Sequence, residues 1–221
     1  VDRKLVIDWI EASHLEEDWD KSEREEAWKH LRGADGVLVP GGFGDRGIEG
    51  KILAAHHART NNVPYLGICL GLQIATIEFC RNVLGMTGAN STEFEDNPEH
   101  AAVVFMPEIS KTHLGGTMRL GSRPTLWQHE GSTIRELYGL GESVDERHRH
   151  RYEVNPDLIE RIEEAGFVFV GKDESGQRCE IFELNDHPYY VGVQFHPEFK
   201  SRPGRPSPPF LGLLKAASGQ L

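Results

Sequence analysis

Val63-Pro-Tyr-Leu-Gly-Ile-Cys-Leu-Gly-Leu-Gln73 sets the reading of the chain. Val63 to Ile68 is a short apolar run of the kind that forms a buried strand. Helical spacing then runs from Leu70 to Val83. Between the two stands Cys69, with Gly67 and Gly71 two residues to either side. A strand that turns sharply into a helix needs neighbours without bulk. That is the form of a nucleophile elbow, here with sulfur in place of a hydroxyl. The helix start adds N–H groups and a positive dipole end, which favour thiolate over thiol. The Leu70 N–H is placed to donate to a developing oxyanion. A buried cysteine at a tight junction stays open as the plain structural reading of this segment alone.

Upstream, Gly36 to Pro40 is a second short apolar strand. Gly41-Gly-Phe-Gly-Asp-Arg-Gly47 follows it, then helical spacing from Ile48 to Arg59. Ser22-Glu-Arg-Glu25 has the form of a capping box and predicts a helix to Arg32. Lys4 to Ile10 reads as a buried strand, and Glu11 to Lys21 as an acidic, solvated loop. Strand and helix alternating at this pitch predict parallel strands with crossover helices. Downstream, Ala89 to Gly141 predicts loops and small antiparallel strands on one edge. Arg149 to Val154 reads as extended. Asn155 caps a helix through Glu164, with Pro156 at its first position. Phe167 to Lys172 and Arg178 to Leu184 predict a hairpin around Ser175-Gly176. Tyr189 to Phe195 reads as a strand, and a short helix near Phe210 to Ala217 ends the chain. The expected class is α/β: an open, mostly parallel sheet with helices on both faces, plus a small antiparallel edge region.

The 221 residues suffice for one large domain, and 38% hydrophobic with 27% charged residues is ordinary for a globule. A net charge of −11 argues against nucleic acid and anionic membrane surfaces as partners. No apolar run approaches the roughly 18 residues of a membrane span. The three cysteines, Cys69, Cys80 and Cys179, include no CxxC. That disfavours a disulfide framework or a zinc knuckle and points to a reducing, cytoplasmic compartment. Cys80 and Cys179 read as packing thiols.

A cysteine nucleophile wants a base, and the base an orienting group. Phe195-His-Pro-Glu198 offers both. Pro197 disfavours a helical His196, so the run is expected to be extended, with His196 and Glu198 on one face. The carboxylate then accepts the imidazole Nδ1–H and leaves Nε2 for the sulfur. Gly41-Gly-Phe-Gly44 lacks a GK[ST] sequence and does not match GxGxxG, which argues against a phosphate loop. An N–H there, beside that of Leu70, completes an oxyanion hole. All three segments follow strands, and ligands of open parallel sheets bind beyond the carboxyl ends. Arg147-His-Arg-His-Arg151 reads mostly as a solvated face. Its alternating arginines share one surface that could grip a carboxylate or phosphate, and His148 with His150 makes a weak metal case.

Together these segments resemble the class I (triad-type) glutamine amidotransferases, and among them the glutaminase domain of the CTP synthase family. The likeness is carried by Gly41-Gly-Phe-Gly with Arg46-Gly47, Gly67-Ile-Cys-Leu-Gly-Leu-Gln73, Asn90-Ser-Thr-Glu-Phe94, Gly115-Gly-Thr-Met-Arg-Leu-Gly121, Arg147-His-Arg-His-Arg-Tyr-Glu-Val-Asn155 and Phe195-His-Pro-Glu-Phe199. The resemblance implies Cys69 as nucleophile, His196 as acid/base and Glu198 as orienter. It implies Gly42, Phe43, Leu70, Gln73, Glu93 and Arg151 around the substrate. Glu93 falls on the α-ammonium and Arg151 on the α-carboxylate of L-glutamine. It implies no metal or cofactor for glutamine hydrolysis. For the full enzyme it implies ATP, Mg and the activator GTP, a synthetase domain of the same polypeptide that aminates UTP to CTP, and a homo-oligomer. Arg46 and Arg119 are candidates to meet a guanine nucleotide or the partner domain. Residues 1–221 are expected to be the glutaminase domain without its first strand-helix unit and without the synthetase domain. A hydrolase of γ-glutamyl compounds and a non-catalytic regulatory or filament module remain the alternatives.

Overall fold

The computed structural model describes residues 3–106 and 118–221. Gly115, Gly116 and Thr117 of the glycine-rich stretch lie outside them. In chain order the elements are α1 (Lys21–Arg32), β1 (Val37–Val39), α2 (Ile48–Thr60), β2 (Tyr65–Ile68), α3 (Leu70–Asn82), β3 (Ala89–Ser91), β4 (His100–Phe105), β5 (Arg119–Trp127), α4 (Thr133–Tyr138), β6 (Ser143–His150), β7 (Tyr152–Val154), α5 (Ile159–Glu164), β8 (Phe167–Lys172), β9 (Cys179–Leu184), β10 (Tyr190–Val193) and α6 (Pro208–Ala217).

Seven strands form the main sheet in the order β1-β2-β10-β9-β8-β5-β6. β1, β2 and β10 run parallel, in register Val39 to Gly67 and Ile68 to Val193. Their carboxyl ends therefore reach one rim of the sheet, at Pro40, Cys69 and Gln194. From β10 outward the pairings are antiparallel. Alternate residues serve opposite faces, as strand geometry requires. Tyr65 and Tyr190 join a core with α1, α2, α3 and α5 on one face. Leu66, Ile68, Val191 and Val193 join a second core with α4 and α6 on the other. The α/β class with helices on both faces is present. Parallel pairing is confined to β1-β2-β10 in this sheet, and the antiparallel part is larger than an edge region.

Several expectations need correction. Lys4 to Ile10 forms no strand, and Leu5, Val6, Ile7 and Trp9 are 58%, 71%, 60% and 89% exposed. β1 pairs only with β2 among the described residues, so this run finds no ladder partner beside it. Inside the acidic stretch one 3-10 turn, Ala12–Leu15, buries Ser13 and Leu15. α1 is capped by Asp20, whose carboxylate accepts from the N–H groups of Ser22 and Glu23, so the cap sits two residues before Ser22. Between Ala89 and Gly141 the chain makes the nine-residue β5 of the main sheet and a helix, α4, capped by Ser132. A small separate sheet, β3-β4-β7, includes one parallel pair, β3 with β4. The expected extended run Arg149 to Val154 breaks at Arg151, because β6 belongs to the main sheet and β7 to the small one.

Two glycines fix how α3 meets the sheet. A Cβ on Gly71 would lie 2.2 Å from the Val39 carbonyl oxygen. One on Gly67 would lie 2.5 Å from the Gly71 carbonyl carbon. Both obstacles are backbone and have no rotamer to yield. Gly71→Ala is thus expected to push α3 off β1 and to cost about 1–3 kcal/mol or more, the usual penalty of overpacking. Urea denaturation measures it. A loss under about 0.5 kcal/mol, ordinary for a surface change, would mean that the close approach is dispensable.

Candidate active site

Cys69 sits between β2 and α3 with φ 53° and ψ −100°, in the left-handed half of backbone space. Such a conformation costs a non-glycine residue on the order of 1–3 kcal/mol and persists only where surroundings over-determine it. Here they do. The Cys69 N–H donates to the Val193 carbonyl at 2.7 Å, and the Cys69 carbonyl accepts from the N–H groups of Leu72 and Gln73. Gly67 and Gly71 leave the bend no room to relax outward. The strain holds the sulfur at the sheet rim, at the start of α3.

His196 follows β10 and reaches the same rim. Its N–H donates to the Arg147 carbonyl of β6 at 2.8 Å. Its Nδ1 lies 2.7 Å from Glu198 Oε1. His196 has φ −109° and ψ 89° and caps a 3-10 turn, Pro197–Phe199, so the expected extended run is absent and the carboxylate reaches the ring through a turn. His196 Nε2 is buried and has no hydrogen-bond partner among the described residues. Burial pushes the Glu198 carboxyl up, but the His196 hydrogen bond, its own backbone N–H and the nearby Arg149 together hold it below the usual range.

Cys69, His196 and Glu198 line one cavity of about 330 Å³ with Gly41, Gly42, Phe43 and Arg149. Gly41 passes close between Cys69 and His196. A Cβ there would sit 2.8 Å from His196 Cε1 and 3.3 Å from Cys69 Cβ. Phe43 is 58% exposed, with the Arg149 guanidinium 5.5 Å from its ring centre at the cavity mouth. The arginine lining this cavity is therefore Arg149.

The charge state of the sulfur departs from the sequence expectation. Burial pushes the Cys69 thiol up to about 12. The Leu70 N–H and the Gln194 side chain pull it back, while Glu93 and Glu198 push it further up. The helix-start effect is present but loses to desolvation, so the resting group is a thiol. Cys80 and Cys179 are buried free thiols, also raised by burial.

Glu93 and Arg151 stand near one another. Burial raises the Glu93 carboxyl, and Arg151 opposes that shift. Gln73, on the first turn of α3, is 3% exposed and donates its Nε2 to the Tyr152 carbonyl at 2.8 Å. The histidines of the basic run are not on a solvated face. β6 alternates, so Arg147 and Arg149 face out while His148 and His150 are buried. His148 Nδ1 lies 2.9 Å from His150 Nε2. Burial, then Arg119, pushes His148 down to about 3, so it is neutral. Arg119 is itself 7% exposed and donates to Glu180 at 2.8 Å. It is not a surface residue for a nucleotide. Arg46 is exposed and pairs with Glu11 at 3.4 Å. Among the described residues no group of three His, Cys, Asp or Glu side chains could hold a metal ion. No helix among them is long and apolar enough to cross a membrane. Sequence reasoning had Arg149 only as one of three arginines on a shared surface, and it missed Gln194 beside the sulfur. The signal for Gln194 was a lone polar residue inside the apolar run Tyr189 to Phe195.

Comparison with known proteins places this geometry. The family model of class I glutamine amidotransferases matches residues 6–216. CTP synthase of Dictyostelium discoideum is 59% identical over 226 residues, covering 100% of this chain and 40% of that protein. CTP synthase 2 of Saccharomyces cerevisiae is 59% identical over 228 residues, covering 99% of this chain and 39% of that protein. The chain thus spans about two fifths of the length of the curated relatives it matches. A solved Trypanosoma brucei CTPS glutaminase domain with bound acivicin superposes with a TM-score of 0.90 at 38% identity, over 99% of this chain and 83% of that one. With the strand-elbow-helix, the His-Pro-Glu turn and the rim they share already in place, these likenesses make the chain a member of the class I glutamine amidotransferases, as a glutaminase domain of the CTP synthase kind.

Proposed function

We propose that Cys69, His196 and Glu198 hydrolyse the side-chain amide of L-glutamine to glutamate and ammonia through a thioester. The reading rests on one observation above all. The buried sulfur, an imidazole held by a carboxylate with its far nitrogen unpartnered, and the glycine loop after β1 meet in one cavity. As the sulfur attacks the carboxamide carbon, His196 Nε2 takes the Sγ proton. The oxyanion is held by the Leu70 N–H and by an N–H at Gly42 or Phe43. His196 then gives its proton to the departing ammonia, takes one from the water that attacks the thioester, and returns it to Cys69. Glu198 keeps the ring in the required tautomer. Arg151 and Glu93, opposite in charge and close together, suit the α-carboxylate and α-ammonium of the amino acid, and Gln73 braces the backbone beside Arg151. Ammonia is delivered to a synthetase domain that aminates UTP to CTP with ATP and Mg and is activated by GTP. The similarity of this whole chain to about two fifths of the CTP synthases it matches supports that assignment. L-Glutamine and that domain are the partners.

The test is ammonia release from L-glutamine by the chain alone and with an added synthetase domain, ATP, Mg, UTP and GTP. Cys69→Ala is expected to reduce release to background. Glu198→Gln is expected to lower kcat by on the order of a hundredfold or more, since an amide in its place no longer fixes the His196 tautomer or stabilises the imidazolium. Arg151→Lys keeps the charge and loses the planar fork, so it should raise KM, costing about 1–3 kcal/mol, with kcat little changed. A normal KM in that variant would remove Arg151 from the binding site.

Thiol chemistry gives a pH test. A thiol raised to about 12 is protonated at neutral pH, and its thiolate fraction grows about tenfold per pH unit below that value. Iodoacetamide should therefore modify Cys69 faster as pH rises from about 7 to 9, without a plateau. Cys69 alone of the three cysteines lines the cavity and should be modified before Cys80 and Cys179 in the folded protein. Mass spectrometry of the labelled peptides decides both points. A plateau near pH 7, or first labelling at Cys179, would contradict them.

A further inference from the structure

Gln194 is fully buried, at 0% exposure, one residue beyond β10 and two before His196. Its backbone N–H donates to the Glu180 carbonyl at 2.8 Å, so the sheet fixes its position. Its side-chain Nε2 lies 3.7 Å from Cys69 Sγ. Its Oε1 lies 3.4 Å from Gln73 Nε2, which also donates to the Tyr152 carbonyl at 2.8 Å.

Oxygen and nitrogen of a buried amide are told apart by their partners. A backbone carbonyl has no hydrogen to give, so the Gln73 nitrogen must face Tyr152. The same nitrogen then needs an acceptor at Gln194, which places the Gln194 oxygen there. The Gln194 NH₂ is left facing the sulfur. The amide otherwise lies in an apolar run, flanked by Val193 and Phe195, where its desolvation is offset only by such bonds. A row of contacts runs from Tyr152, next to Arg151, through Gln73 and Gln194 to Sγ.

We propose that Gln194 is a further catalytic residue, whose side-chain N–H donates to the Cys69 sulfur and stabilises the thiolate as its proton passes to His196 Nε2. This rests on the reading of Cys69 as nucleophile. The donor acts alongside the Leu70 N–H, and both pull the thiol down against burial. Two donors at fixed angles also hold the sulfur toward the substrate carbon while it is unbonded.

Gln194→Met removes the donor, and Gln194→Glu replaces it with a carboxylate of nearly the same shape. The experiment follows iodoacetamide modification of Cys69 in the folded chain across about pH 6 to 10, with urea unfolding to certify each variant. The expected result is an alkylation rate lowered about tenfold at each pH in Gln194→Met, as a one-unit rise of the thiol pKa predicts, and further in Gln194→Glu through charge repulsion. In glutamine turnover kcat should fall while KM stays within about twofold. A purely structural role would lower stability and leave the alkylation profile of the folded fraction at the wild-type level. Either folded variant reacting at the wild-type rate across the range overturns the proposal. Alkylation is read without glutamine. A wild-type chain that releases no ammonia would therefore sink the glutaminase reading and still leave this coupling measurable.

Discussion

Everything at the rim depends on the left-handed backbone of Cys69. A strand that ends at Ile68 and a helix that begins at Leu70 leave one residue to make the turn. That residue carries the one thiol that lines the cavity among the described residues, the nucleophile of the proposed reaction, so glycine cannot relieve the strain there. The relief comes from its neighbours. Gly67 and Gly71 give up their side chains so that the first turn of α3 can lie against β1 and β2. Parallel pairing of β1, β2 and β10 then brings three carboxyl ends together. The glycine loop, the elbow and the histidine arrive at one place because the sheet is parallel there. The antiparallel remainder of the sheet supports β10 from the other side through β9.

The same burial that orders the site works against its chemistry. Enclosing the sulfur removes water from it and holds it as a thiol. Desolvation therefore outweighs the helix start, whose backbone donors act only over about the first turn. The proposed attack then requires that the proton leave as the carbon–sulfur bond forms, with the imidazole ready to take it. The unpartnered Nε2 of His196 and the carboxylate fixed on Nδ1 suit that concerted demand. A permanently ionised sulfur would need more solvent, and solvent would weaken the hydrogen bonds that stabilise an oxyanion. Glu93 adds a second restraint, since its negative charge near the sulfur further disfavours thiolate.

The legible parts of the sequence were those in which local chemistry decides structure. The elbow is set by Gly67, Cys69 and Gly71 within a few residues, and the His196–Glu198 contact was legible from their spacing although a 3-10 turn makes it and not the expected extended run. The illegible parts depended on distant partners. Lys4 to Ile10 has strand composition, yet strands need a ladder, and composition does not reveal whether one is there. Ala89 to Gly141 looked like loops because β5 carries Gly121, Ser122 and Pro124, and its pairing with β6 and β8 supplies what propensity lacks. Asp20 took the cap from Ser22 because its carboxylate accepts the N–H groups of Ser22 and Glu23, which starts the helix at Lys21 and puts Ser22 inside the first turn.

The basic run shows how period two divides one segment between structure and chemistry. Arg147 and Arg149 point outward, and His148 and His150 inward. The histidines, kept neutral by burial, join Glu153, Glu180, Arg119 and Arg178 in a polar layer under the rim. Arg178 is ion-paired with Glu153 and Arg119 with Glu180, so each buried carboxylate has a cation of its own. Both histidines can then stay uncharged without leaving a buried charge unmatched. This layer fixes the height of β6, and the Arg147 carbonyl fixes the backbone of His196. The outward arginines are carried on the same rigid strand, with Arg149 at the cavity mouth over Phe43. Arg151 falls where β6 ends and β7 departs for the small sheet, so its side chain leaves the alternation and turns toward Glu93. A one-residue slip of this strand would bury the arginines and expose the histidines. The register of β6 against β5 therefore sets the polar layer, the position of His196 and the cavity mouth together.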